Sequence, residues 1–147
     1  MESIESCISF LSGKAAQNIA RHSRSRLGQH DITPIQFAVL QAVWEAPGRK
    51  ASDLTAYLLI DSATITGVID RLCRIDMLER RPDASDRRAN RLFLTPTGAA
   101  LIGELQAQMD HLNAEVANAF GEDADKLWDL LKRLAAFQPT KGKTAHV

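Results

Sequence analysis

Asp86-Arg87-Arg88-Ala89-Asn90-Arg91-Leu92-Phe93-Leu94-Thr95 is the stretch that decides the fold of this chain. Upstream of it, Leu78-Glu79-Arg80-Arg81 reads as one strand, and Arg91-Leu92-Phe93-Leu94 reads as the strand that returns. Pro82-Asp83-Ala84-Ser85 between them supplies turn chemistry, so the spacing predicts a β-hairpin. Arg80, Arg81, Arg87, Arg88 and Arg91 stand in this segment against Asp83 and Asp86. A hairpin tipped with arginine fits a narrow, electronegative groove of DNA. The plainer alternative is a solvated charged loop, and the flanking sequence bears on the choice.

Immediately before the hairpin, Asp61 or Ser62 can cap a helix running to about residue 75. Ile65, Val68, Ile69 and Leu72 fall on one side of it, which leaves Thr64, Thr66, Gly67, Arg71 and Arg74 for the other faces. A shorter helix over residues 51–58 carries Leu54, Tyr57 and Leu58, and Leu59-Ile60-Asp61 makes the turn between the two. Two helices joined by about three residues, the second with small polar residues in its first turns, form a helix-turn-helix pattern. The hairpin that follows makes it a winged one.

Further upstream, Thr33-Pro34-Ile35-Gln36 opens a helix with explicit chemistry. Thr33 can cap free N–H groups, Pro34 loses no hydrogen bond at the first helical position, and Gln36 can complete a capping box. Val39, Leu40 and Val43 continue its buried face until Pro47-Gly48. Ile4, Ile8, Leu11, Ala15 and Ile19 predict one helix over residues 4–27, broken at Gly28. Thr95-Pro96 repeats the threonine–proline start. Leu101, Leu105, Met109, Leu112, Val116 and Phe120 then keep helical rhythm until Gly121, and Leu127, Leu130, Leu131 and Leu134 form a last amphipathic helix. Residues 139–147 read as a frayed tail.

The expected fold is therefore mainly α, with residues 33–95 as a winged helix-turn-helix DNA-binding domain. Residues 1–32 and 96–147 form an N- and C-terminal helical dimerisation region. The apolar stripes of those terminal helices exceed what a small wing module needs, and a symmetric homodimer is the economical way to bury them.

Composition narrows the function classes. The 147 residues carry 18 basic and 18 acidic side chains, so net charge does not advertise a nucleic-acid partner. The balance is uneven along the chain: residues 49–91 hold nine Lys/Arg against seven Asp/Glu, and residues 95–147 hold five against seven. An apolar fraction of 45% indicates a folded chain. No apolar run reaches membrane-spanning length and no signal segment follows Met1, so a cytoplasmic protein with no membrane partner is expected. Cys7 and Cys73 are too far apart for metal-ligand spacing, the histidines show no nucleophile–base pattern, and no glycine-rich phosphate loop is present. Neither an enzyme nor a cofactor is expected.

The order of motifs resembles the MarR family of bacterial transcription regulators. The resemblance is carried by Thr33-Pro34-Ile35-Gln36-Phe37-Ala38-Val39-Leu40, by Thr66-Gly67-Val68-Ile69-Asp70-Arg71-Leu72, and by Asp86-Arg87-Arg88 through Leu94-Thr95-Pro96-Thr97-Gly98. It extends over roughly residues 5–135. It implies a homodimer on a pseudo-palindromic operator in double-stranded DNA, with recognition helices in successive major grooves and wings in the flanking minor grooves. On that resemblance residues 62–75 are the recognition helix. Ser62, Thr64 and Thr66 would touch bases or phosphates, Arg71 or Arg74 the backbone, and Arg87 and Arg88 the minor groove. Asp86 would fix the wing, and Asp70 would pair with a wing arginine. Where several relatives carry an arginine in the recognition helix, this chain has Gly67, which removes a potential bidentate contact to guanine.

The resemblance also implies a repressor released by a small molecule, an aromatic acid or its coenzyme A thioester. His22, Arg26 and His30, with Phe37 and Trp44, are the candidate ligand contacts, since a cation beside aromatic walls suits a flat carboxylate. Two other readings stand beside this one. One is redox sensing through Cys7, although no basic residue adjoins it in sequence and Tyr57 is the sole tyrosine; Cys73 reads as a small packed residue. The other is a protein-binding winged helix that never touches DNA.

Overall fold

The computed structural model describes residues 3–138. It is mainly helical with one antiparallel hairpin, in the order α1 (Ile8–Leu27), α2 (Pro34–Glu45), α3 (Ala51–Leu58), α4 (Ser62–Arg74), β1 (Leu78–Pro82), β2 (Asn90–Leu94), α5 (Pro96–Phe120) and α6 (Ala124–Ala135). The chain divides into two compact units, Met1–Asp110 and His111–Val147.

In the first unit, α2 starts as its residues dictate. Thr33 N–H donates to Gln36 Oε1 at 2.8 Å, Gln36 N–H donates back to Thr33 Oγ1 at 3.3 Å, and Pro34 follows the cap. The N-terminal segment differs from the single helix expected over residues 4–27. Ser3 caps a 3-10 turn at Ile4–Ser6, Cys7 is extended, and α1 begins only at Ile8. The serines account for the break: Ser3 Oγ accepts from Glu5 N–H and Ser6 Oγ donates to Ser3 O, satisfying the backbone locally instead of through a helix. The other end shifts too. Gly28 stays helical and opens a 3-10 turn, and the chain reverses at Asp31, whose φ is 56°. Aspartate tolerates that left-handed conformation, and the reversal carries Ile32 into the core.

That core draws on Leu40 and Val43 of α2, Leu54 of α3, Ile65, Ile69 and Leu72 of α4, Leu78 and Leu92 of the hairpin, and Leu105 of α5. Each such burial contributes about 1.5–3 kcal/mol before entropy is counted, so the three from α4 fix its rotation more firmly than any cap. By contrast, α1 buries only Ser23 and Leu27, leaving Ile8, Phe10, Leu11 and Ile19 exposed.

The hairpin pairs Leu78 with Leu94, Arg80 with Leu92 and Pro82 with Asn90. The far edge of β2 is also held: Gly48 N–H donates to Leu92 O at 2.8 Å and Leu92 N–H to Arg49 O at 3.0 Å. Gly48 has φ 87°, and a Cβ there would lie 3.4 Å from the Phe93 ring. The link that follows explains Thr95-Pro96-Thr97-Gly98. Thr95 Oγ1 donates to Asp76 O at 2.5 Å and accepts from Gly98 N–H at 3.0 Å, while Thr97 Oγ1 donates to Asp76 Oδ2 at 2.8 Å. Gly98 sits so close to the preceding turn that a Cβ would fall 2.2 Å from Met77 O.

The second unit holds the end of α5, a 3-10 turn at Gly121–Asp123 entered with φ 56° at Gly121, and α6. None of α6 is fully buried, and Leu130, Leu131 and Leu134 are exposed, with Phe120 and Phe137 beyond its ends. Among the described residues no helix is long and apolar enough to cross a membrane.

Candidate nucleic-acid interface

Asp61 caps α4. Its Oδ2 accepts from the Thr64 hydroxyl at 2.6 Å and its Oδ1 from Thr64 N–H at 2.8 Å. The Thr64 hydroxyl first, then the Thr64 N–H, hold this carboxyl below its ordinary range. Thr66 Oγ1 donates to Ser62 O at 2.8 Å. With Ile65, Ile69 and Leu72 buried, the residues left at the surface are Ser62, Ala63, Thr64, Thr66, Gly67, Asp70, Arg71 and Arg74.

The wing is braced at three points. Asp70 on α4 forms an ion pair with Arg80 on β1. At the tip, Asp86 Oδ1 accepts from Arg88 N–H at 3.0 Å and Asp86 O from Ala89 N–H at 3.0 Å. At the root, Asp83 is buried, its side chain only 3% exposed. Asp83 Oδ1 accepts from Ser85 N–H at 3.0 Å and Ser85 Oγ at 2.8 Å, and its Oδ2 lies 3.3 Å from Lys50 Nζ and 3.0 Å from Arg91 Nη2. The Ser85 bonds, helped by Lys50 and Arg91, keep this carboxyl far below its usual range. Arg91 also donates to Gly48 O at 3.0 Å, so Asp83, Arg91 and the segment before α3 form one anchor. In the sequence Asp83 passes for an ordinary turn residue; the alternation that buries it depends on the strand ending at Pro82.

These contacts sort the nine cations of residues 49–91. Arg49 stacks on the Tyr57 ring at 4.3 Å, Lys50 and Arg91 hold Asp83, Arg80 holds Asp70, and Arg81 pairs with Glu79 while stacking on Phe93 at 4.2 Å. The side chains of Arg71, Arg74, Arg87 and Arg88 have no hydrogen bond or ion pair among the described residues, and all four are exposed. Every carboxylate of the same segment is engaged: Asp53 and Asp61 in caps, Asp76 by Thr97, Asp86 in the wing, and Asp70, Glu79 and Asp83 by cations. A groove of about 290 Å³ runs between α4 and the wing, its walls including Lys50, Ser52, Thr66, Arg80 and Asn90.

The candidate ligand contacts are less well gathered. Arg26 Nη1 donates to His22 O at 3.3 Å, His30 Nδ1 lies 3.6 Å from Glu104 Oε2, Phe37 packs against the core, and Trp44 is exposed. None of the five lines the groove beside the wing. Cys7 is half-buried at the start of α1. Tyr57 is engaged elsewhere, donating to Glu45 Oε2 at 3.2 Å. Burial pushes the Cys73 thiol up, which suits packing rather than reactivity.

Helix, turn, exposed helix and braced hairpin define a winged helix-turn-helix protein. Comparison with known proteins narrows the class. A MarR family model matches residues 32–89. The HTH-type transcriptional regulator TtmR of Methylorubrum extorquens (strain PA1) is 32% identical over 137 residues, covering 93% of this chain and 68% of TtmR. A mutant MarR from E. coli complexed with operator DNA matches with TM-score 0.78 at 27% identity, over 86% of this chain and 92% of that one. Bordetella bronchiseptica BpsR, whose DNA binding is regulated by 6-hydroxynicotinic acid, shares the fold with TM-score 0.84 at 24% identity, over 95% of this chain and 99% of that one. This chain belongs to the MarR family of DNA-binding transcriptional regulators.

Proposed function

We propose that the chain works as a homodimeric repressor, with residues 33–95 reading a pseudo-palindromic operator and residues 1–32 and 96–147 joining the two copies. The observation that carries the reading is the sorting of charge: four exposed arginines on α4 and the wing tip without a partner among the described residues, with every carboxylate of the module engaged. A surface so arranged attracts phosphates although the whole chain is neutral. In this reading Ser62, Thr64 and Thr66 face the major groove, Arg71 and Arg74 meet the backbone, and Arg87 and Arg88 enter the minor groove. Asp70 and Asp86 support the wing.

Dimerisation is supported by the exposed Ile8, Phe10, Leu11 and Ile19 in the first unit and Leu130, Leu131 and Leu134 in the second, more apolar surface than a solitary chain usually leaves in water. Release is assigned to an aromatic acid or its coenzyme A thioester, contacted by His22, Arg26, His30, Phe37 and Trp44. The regulation of BpsR by 6-hydroxynicotinic acid supports that ligand class.

The test is selection of duplexes from random DNA by the full chain, then sedimentation of the complex with and without a panel of aromatic acids and thioesters. The expected result is an inverted-repeat site bound by two chains and vacated when one compound is added. Failure to enrich any duplex supports the protein-binding winged helix instead. A stable complex of one chain per site overturns the dimer, and a complex that no compound releases overturns the effector assignment.

A further inference from the structure

Three glycines of the first unit show what a missing side chain can mean. Gly48 and Gly98 are required by the fold, the first by its positive φ, the second by the approach of Met77 O. Nothing among the described residues requires Gly67. It lies in the middle of α4, it is exposed, and a Cβ built there meets no atom within 4 Å. A mid-helix glycine weakens its helix relative to alanine, so the fold would be more stable without it.

Helical geometry places Ala63 and Gly67 opposite the buried Ile65, Ile69 and Leu72, along the outermost ridge of the first turns. That ridge presents a methyl group and bare backbone. On its flanks, both threonine hydroxyl protons are committed, Thr64 to Asp61 Oδ2 and Thr66 to Ser62 O. Outward these side chains offer methyl groups and oxygen lone pairs, which match thymine C5-methyls and the exocyclic amines of adenine or cytosine. The acceptors N7 and O6 of guanine find no side-chain donor fork there. Arg71 and Arg74 belong to the last turn.

We infer that Gly67 is a specificity-determining position whose lack of a side chain lets the backbone of α4 sit close to the base edges, with Thr64 and Thr66 reading methyl and amine groups beside it. The inference rests on the proposed reading that α4 enters the major groove. The absent side chain sets the clearance, and the committed hydroxyls set the chemistry.

Gly67→Ala tests it with two readouts of opposite sign, using the full chain and the operator selected by the parent protein. The variant is expected to melt at a higher temperature than the parent and to bind the operator roughly tenfold more weakly or worse, as a spoiled base contact does. Replacing thymine by uracil in the half-sites, which deletes only the C5-methyl, is expected to weaken the parent protein as well. Unchanged operator affinity in Gly67→Ala overturns the clearance role, and a lowered melting temperature overturns its premise. Equal affinity for the uracil duplex overturns the methyl reading. A parent protein that selects no duplex fails the DNA-binding reading itself, and this inference with it.

Discussion

Asp70 on α4 holds Arg80 on β1, so an ion pair at the surface ties that helix to the wing beside it. The two side chains are 50% and 35% exposed, and a pair so placed contributes under about 1 kcal/mol to stability. Its effect is on the angle between α4 and the wing, the two elements proposed to face DNA. A double-mutant cycle of Asp70→Ala and Arg80→Ala, read in operator affinity, should therefore show a coupling energy of about 0.5–3 kcal/mol while melting temperatures move little. Additive affinities would mean that the wing is positioned by other contacts.

Arg87 and Arg88 are the two wing cations that the fold leaves uncommitted. Alanine at either position should weaken operator binding by about 1–3 kcal/mol and, being present in both chains of the dimer, reduce the salt slope by about two. The same change at Arg81, which is spent on Glu79 and Phe93, should cost distinctly less affinity. Filter binding of the three variants across a salt series distinguishes them; equal losses would remove the distinction between tip and strand arginines.

Asp83 sets an acid sensitivity. Its carboxyl titrates far below the ordinary aspartate value of about 3.9, so its contribution to stability is complete above that pH and is lost as pH falls toward the depressed folded-state value. Asp83→Asn should melt below the parent at neutral pH, bind the operator more weakly through a loosened wing, and show a shallower loss of stability between pH 4 and 2. Calorimetry over that range checks the sign. Parallel acid limbs in the two proteins would contradict the anchor.

Gly98 carries a prediction about folding alone. A methyl placed 2.2 Å from Met77 O must displace backbone at the junction of wing and α5. Gly98→Ala should lose about 1–3 kcal/mol or more in urea unfolding, the opposite of the effect of the same substitution at Gly67. An unchanged unfolding midpoint would show that the junction yields freely.

Local chemistry made much of this fold readable. The capping box at Thr33 and Gln36, the cap at Asp61 and the Thr95-Pro96 start depend on residues three apart or fewer, and each lies where its residues indicate. What escaped depends on distant partners. Nothing near Gly48 or Arg49 indicates that their backbone completes the edge of β2 some forty residues later. Asp83 reads as a turn residue because its cations, Lys50 and Arg91, stand 33 residues before it and eight after it in the sequence. The five arginines of the hairpin segment likewise look alike in sequence. Only folded contacts separate Arg80, Arg81 and Arg91, which are spent internally, from Arg87 and Arg88. The start of α1 departs from the spacing for a local reason, since Ile4 keeps helical register with Ile8 while Ser3 and Ser6 close a tighter turn.

In the proposed reading a neutral chain binds DNA through a small set of cations that its fold leaves free among the described residues. Operator affinity measured from low to physiological salt tests it most directly. With four such arginines in each of two chains, log affinity should fall linearly with log salt, with a slope reaching about −7 if all of them displace counterions. Affinity that hardly changes with salt, or no binding at the low-salt end, would contradict the account.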